Sequence, residues 1–177
     1  TQYTLSRCIL KLTAQMMPIG ETDTRTAILE IMKSGGWTPI ASAEIIEPGY
    51  TVTFRIENWD ATRDIPCRVV YDLQGSNDMP QRYTWSGVIR HDPIEKSEIV
   101  VAAFTGNHNV RSGGVDRGQF DWNLSGCWFP HEDITAHIDT HEPDLLFFSG
   151  DQVYEGASPT RAEVNLLDYM YKWYLWC

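Results

Sequence analysis

Apolar and polar residues alternate through much of the first half of the chain, and this alternation predicts β-strands. In the clearest case Val52, Phe54 and Ile56 share one face of a strand, and the residues between them are polar. Turn residues delimit four further segments of strand length, which are 27–32, 40–46, 67–73 and 83–89. Gly87 is expected to mark a bulge in the last of these. Short strands at regular spacing predict an antiparallel β-sandwich over residues 1–92.

The segment 5–17 is ambiguous, because its apolar spacing is compatible with a short helix or with a strand. The character of the chain changes after residue 92, where Asp92-Pro93 and the charged pair Glu95-Lys96 predict a boundary between two units. We therefore expect an α+β chain in two parts, a sandwich over 1–92 and an α/β unit over 93–177.

The second part begins with a strand–helix–strand pattern. Residues 98–104 and Leu145–Phe148 are apolar without alternation, which is typical of strands covered on both faces. Between them, the segment 131–141 has helical spacing, with Ile134 and Ile138 on one face. A strand–helix–strand order implies two parallel strands in one sheet.

The two strands should end at the same edge of that sheet, where open α/β sheets bind their ligands. Gly106-Asn107-His108-Asn109 follows the first strand, and Gly150-Asp151 follows the second. Both segments are also typical of plain turns. Their predicted proximity, however, favours a site in which the Asp151 carboxylate and the His108 imidazole hold a metal ion.

The segment Gly150-Asp151-Gln152-Val153-Tyr154-Glu155 resembles the Gly-Asp-x-x-Tyr-Glu motif of the alkaline phosphatase D-like branch of the calcineurin-like metallophosphoesterases. The resemblance implies that 93–177 is the opening portion of a metallophosphoesterase domain. It further implies two divalent or trivalent metal ions, from among iron, calcium, zinc and manganese. Asp151 would bridge the two ions, and the phenolate of Tyr154 would be an iron ligand.

The first metal motif of that family, Asp-x-His, corresponds here to Gly106-Asn107-His108, so the His is kept and the Asp is replaced. His108 and Asp151 are therefore the candidate catalytic residues, and with Tyr154 they are the candidate metal ligands. Candidates for substrate contact or for support of the ligands are Asn107, Asn109 and Glu155. The implied activity is hydrolysis of a phosphomonoester or a phosphodiester by a two-metal mechanism.

The formal net charge of -10 argues against a nucleic-acid backbone or an anionic membrane as a partner. It does not argue against a small phosphorylated substrate, because bound cations reverse the local field. No apolar run reaches transmembrane length, and the first residues show no signal-peptide pattern. The resemblance itself implies a secreted or periplasmic protein.

The segment 166–177 has helical spacing and is apolar nearly all round, so it is expected to be buried. We expect it to be covered either in an oligomer or by a C-terminal half that this sequence lacks. The later metal motifs of the family, Gly-Asn-His-(Asp or Glu) and the closing histidine pairs, do not follow Asp151. The chain is accordingly expected to be a fragment that is catalytically incompetent alone.

The alternative interpretation is a non-enzymatic β-sandwich module that binds carbohydrate or a partner protein. It would use exposed aromatic side chains as a stacking surface, and the candidates are Trp37, Trp59, Tyr83 and Trp85. This alternative requires an exposed aromatic row on the sandwich. The hydrolase interpretation requires instead that the two strand ends meet beside Asp151.

Overall fold

The computed structural model describes residues 1–75, 79–106, 132–152 and 166–176. The chain divides into two compact units, Thr1–Ile94 and Glu95–Cys177, close to the predicted change at residue 92. Most of its regular structure is antiparallel β-sheet, and two helices occur among the described residues. The chain is thus an α+β protein dominated by antiparallel strands.

The first unit consists of two antiparallel sheets, as expected for a β-sandwich. One sheet has three strands in the order β1-β2-β5, and the other has four in the order β4-β3-β6-β7. The strands are β1 (Gln2–Ser6), β2 (Ile9–Gln15), β3 (Thr26–Lys33), β4 (Gly36–Glu44), β5 (Thr51–Ile56), β6 (Ile65–Gln74) and β7 (Pro80–Ile89).

The ambiguous segment 5–17 belongs to a β-hairpin, in which β1 and β2 pair with Ser6 opposite Ile9. Only Arg7 and Cys8 connect the strands, and their φ angles are 53° and 58°. Positive φ at both central residues is the geometry of a type I′ turn, whose twist matches that of paired strands. Neither residue is a usual choice for this turn, which is why the sequence did not reveal the hairpin.

The core lies between the two sheets and is built from the alternation seen in the sequence. Leu12 and Phe54 are opposite each other in one sheet, and Leu29 and Val69 are opposite each other in the other. All four side chains are at most 2% exposed. On the other face of β5, Thr53 and Arg55 are exposed and Thr51 is half-buried, so the predicted division between the two faces of that strand is confirmed.

A buried ion pair lies on the opposite face of the four-stranded sheet. Arg68 Nε donates a hydrogen bond of 2.5 Å to Oε2 of Glu30, a residue that is only 7% exposed. The Arg68 guanidinium also lies 4.5 Å from the centroid of the Trp37 ring, in a cation–π contact. The buried Glu30 carboxylate is therefore paired with one arginine.

Two exposed carboxylates of the first unit are stabilised in their charged form. Hydrogen bonds from the Thr62 hydroxyl and the Arg63 guanidinium lower the pKa of Asp60 to about 2. The backbone N–H and the ring of His91 likewise lower the pKa of Asp64. A carboxylate whose folded pKa is depressed stabilises the fold above its unfolded pKa, near 3.8.

The first unit should therefore lose stability as the pH falls from about 4 to about 2, because these carboxylates must then be protonated. Thermal unfolding followed by circular dichroism across this range measures the loss. Asp60→Asn removes the titrating group, so the slope of melting temperature against pH should become shallower in that variant. An unchanged slope would contradict the assignment to Asp60.

The second unit contains β8 (Val101–Phe104), α1 (Glu132–Asp139), β9 (Leu145–Phe148) and α2 (Leu166–Trp176). Strands β8 and β9 are parallel and in register from Val101–Leu145 to Phe104–Phe148, so the predicted parallel pairing is confirmed. Asp144 fixes the start of β9, because its carboxylate accepts hydrogen bonds from Lys96 Nζ at 2.6 Å and from the backbone N–H of Val100 at 3.1 Å.

The expectation that both faces of Leu145–Phe148 are covered was wrong. These four residues are between 37% and 55% exposed. Within the described residues β8 and β9 form a two-stranded sheet, so both are edge strands and no third strand or second layer covers them. In α2, Leu167 is 55% exposed whereas Met170 is buried, and the expected covering of this helix by an oligomer or by a further segment stays a prediction.

Candidate functional site

The carboxyl ends of β8 and β9 meet, as the parallel arrangement requires. The N–H of Ser149 donates a hydrogen bond of 3.0 Å to the carbonyl of Phe104, and the N–H of Gly106 donates one of 3.2 Å to the carbonyl of Gly150. The two strands thus remain paired beyond their last regular residues. Gly106 and the pair Gly150-Asp151 share one edge of the sheet.

The backbone turns sharply at Gly150 and Asp151, whose φ angles are 116° and 65°. For a residue other than glycine, the left-handed region costs roughly 1–2 kcal/mol, although aspartate tolerates it better than most. Strain of this kind often occurs where a side chain must be presented in a fixed place. Here the strained residue is the aspartate of the motif.

The Asp151 side chain is exposed. Among the described residues no hydrogen-bond or ion-pair partner occupies its carboxylate. Its oxygens therefore remain available, and carboxylate oxygen suits calcium, manganese, iron and zinc. The donor chemistry of Asp151 is compatible with the metal ions that the motif implies.

Gln152, the next residue, has a buried side-chain amide nitrogen without a hydrogen-bond partner in the described part of the chain. Buried polar groups are almost always paired, so an unpaired amide is typical of a place where a further ligand, ion or water belongs. Gln152 could not be selected from the sequence, because it stands at a variable position of the Gly-Asp-x-x-Tyr-Glu motif. Its burial is visible only in the structure.

The remaining predicted site residues lie outside the described residues: Asn107, His108, Asn109, Tyr154 and Glu155. Their assigned roles stay predictions. In the sequence, His108 follows Gly106 by two residues.

A pair of histidines lies on and just beyond α1. The rings of His137 and His141 meet edge to face, with centroids 5.2 Å apart, and both residues are exposed. Within the described ranges, however, no group of three or more His, Cys, Asp or Glu side chains could hold a metal ion. These two histidines therefore form a ring contact on the helix surface.

Only part of the aromatic row that the binding-module interpretation requires is exposed in the structure. Trp59 is buried, at 5% exposure, so its selection as an exposed stacking residue was wrong. Trp37 is half-buried and lies against Arg68. Of the four candidates, only Tyr83 and Trp85 are exposed, at 37% and 45%.

Gly87 has a packing role rather than the predicted role in a bulge. The register of β6 and β7 is continuous through Cys67 and Gly87, so no bulge interrupts it. A Cβ atom on Gly87 would lie 2.5 Å from the Trp85 ring, which occupies the space above the glycine. Tyr83, on the same face, stacks against Tyr71 with ring centroids 5.7 Å apart.

Comparison of this chain with protein-family models, with curated proteins and with solved structures finds no match. Within the described ranges, no helix has both the length and the apolar character needed to cross a bilayer. The features of this chain that bear on function are the motif around Asp151 and the geometry of the sheet edge.

Proposed function

We propose that this chain belongs to a metal-dependent hydrolase of phosphoric esters and carries part of its metal site. The observation that carries the proposal is the hydrogen-bonded meeting of Gly106 with Gly150 at the ends of two parallel strands. Asp151 follows one of those strands, and His108 follows the other. The proposed centre lies at this edge, in the opening portion of a metallophosphoesterase domain.

The described backbone supports the proposal by restricting where the candidate ligands can be. Asp151 is bonded to Gly150, and His108 lies two residues beyond Gly106. A hydrogen bond of 3.2 Å joins those two glycines. The backbone segments from which the two proposed ligands extend are therefore neighbours, although they are far apart in sequence.

The described side chains support it through their unused hydrogen-bonding capacity. The Asp151 carboxylate has no partner among the described residues, and the neighbouring Gln152 amide nitrogen is buried and unpaired there. The exposed Asp151 carboxylate is therefore available to a cation, and the buried Gln152 amide nitrogen lacks an acceptor. A water molecule bound to the cation would supply that acceptor.

Each residue would have a separate task. Two bound metal ions lower the pKa of a water molecule and neutralise charge on the phosphoryl oxygens. Asp151 would hold both ions through its two oxygens, and the imidazole of His108 and the phenolate of Tyr154 would each hold one. Asn107, Asn109 and Glu155 would orient these ligands or the substrate by hydrogen bonds. The substrate would be a phosphomonoester or a phosphodiester.

Metal binding is the primary test, because the later ligand motifs of the family do not occur in this sequence. Titration calorimetry with Mn²⁺ or Zn²⁺ compares the 177-residue chain with Asp151→Asn. Loss of a bridging carboxylate should weaken binding by at least about tenfold, since even residues that only orient a metal ligand are worth about 10–100-fold.

The matched control is Asp139→Asn, because Asp139 is an exposed residue at the end of α1 and its replacement changes the net charge equally. This variant should bind metal as the unmodified chain does. Equal affinities in all three proteins, each with an unchanged circular dichroism spectrum, would contradict the proposed role of Asp151. Absence of metal binding in the unmodified chain would contradict it as well.

A further inference from the structure

The outer face of the three-stranded sheet carries a row of residues that the proposed hydrolase chemistry does not use. Thr4 is opposite Lys11 across β1 and β2, and Lys11 is opposite Arg55 across β2 and β5. Leu10 and Leu12, the neighbours of Lys11, are buried in the core, so the row projects from the other face. All three members of the row are exposed.

Like charges directly opposite each other in a sheet are destabilising. Lys11 and Arg55 form such a pair, and Arg7 adds a third cation to the same depression. Glu57 offsets part of this charge, because its Oε1 accepts a hydrogen bond of 2.7 Å from Arg55 Nε. Within the described residues, no ion-pair partner is found for Arg7 or Lys11.

The cations surround an open cavity of about 300 Å³. Its lining is Thr4, Ser6, Arg7, Ile9, Lys11 and Arg55. Arg7 reaches the cavity because it lies in the tight two-residue turn between β1 and β2. The lining thus combines two guanidinium groups and one ammonium group with two hydroxyl groups around a depression that is open to solvent.

We propose that this face of the sandwich binds a small molecule through a phosphate or sulfate group. Guanidinium groups recognise such anions with paired hydrogen bonds, and lysine contributes a point charge. A bound anion would also separate Lys11 from Arg55 and relieve their repulsion. The net charge of -10 disfavours a long polyanion, because the rest of the surface repels it, so the ligand is a small one. The site is independent of Asp151.

The test uses inorganic phosphate and sulfate as probes, with sodium chloride at equal ionic strength as the reference. Amide signals of β1, β2 and β5 should shift on titration in two-dimensional NMR spectra of the full chain. Lys11→Gln and Arg55→Gln should each weaken phosphate binding by at least about tenfold, since each removes a charged partner. Lys33→Gln is the control, because Lys33 is an exposed lysine at the end of β3, in the other sheet.

A second measurement separates binding from a loss of folding. Without phosphate, Lys11→Gln should melt at a temperature equal to or above that of the unmodified chain, since it removes a repulsion. With phosphate, the unmodified chain should melt at the higher temperature of the two, because only its folded state is stabilised by the bound ligand. NMR shifts in phosphate that are no larger than those in chloride would indicate nonspecific screening only and would overturn the proposal. Equal weakening of phosphate binding in Lys33→Gln would overturn it as well.

Discussion

Replacing Asp151 with glycine is expected to abolish metal binding and to change the free energy of unfolding by no more than about 1 kcal/mol. Asp151 has a φ of 65°, in the left-handed region that glycine occupies without steric cost. The relief of strain and the greater freedom of glycine in the unfolded chain oppose each other, so the net change should stay within about 1 kcal/mol. Urea denaturation and Mn²⁺ titration measure the two effects separately.

The matched variant is Asp151→Ala, which also removes the carboxylate but keeps a Cβ atom. Alanine has no polar side chain to compensate for the left-handed backbone, so this variant should be less stable than Asp151→Gly by about 1 kcal/mol. Both variants should lose the metal. If Asp151→Gly were less stable than Asp151→Ala, the stability at this position would not be governed by the left-handed backbone conformation of Asp151.

Replacing Arg68 with methionine is expected to lower the free energy of unfolding by about 2–3 kcal/mol. The change leaves the carboxylate of Glu30 buried without its hydrogen-bond donor and removes the cation from the Trp37 ring. Breaking a fully buried ion pair costs about 3–5 kcal/mol. The Arg68 side chain is 26% exposed, so the loss expected here is smaller than that range suggests. Urea denaturation at neutral pH measures the change.

A double-mutant cycle identifies the cause of that loss. Glu30→Met together with Arg68→Met removes both charges, and the double variant should recover most of the stability that Arg68→Met loses. Recovery is expected because the cost comes from the unpaired carboxylate and not from the missing arginine stem. If the two single losses simply add in the double variant, the ion pair does not account for the effect.

The strands of the sandwich could be predicted because alternation follows directly from burial of one face of a sheet. Val52 and Phe54 are buried as their spacing indicated. The burial of Glu30 could not be predicted from spacing, because it depends on Arg68 in a neighbouring strand. The exposure of Leu145–Phe148 also differs from expectation, because an apolar run shows what a strand could bury, not what covers it.

The candidate site could also be predicted only in part. Strand–helix–strand order was sufficient to predict that Gly106 and Gly150 would meet, since parallel strands end at the same edge. The unpaired amide of Gln152 has no signature in the sequence. The row formed by Lys11 and Arg55 depends on strand register, and no local pattern connects two residues so far apart in the chain.

We propose that His108 and Asp151 hold a common metal ion at the shared edge of β8 and β9. Elemental analysis of the purified chain tests it most directly, beside His108→Gln, Asp151→Asn, the double variant and the Asp139→Asn control. We predict bound iron, zinc, manganese or calcium in the unmodified chain and in the control, and at least one ion fewer in each single variant. The double variant should lose no more than Asp151→Asn does. Unchanged metal content in Asp151→Asn would contradict the claim.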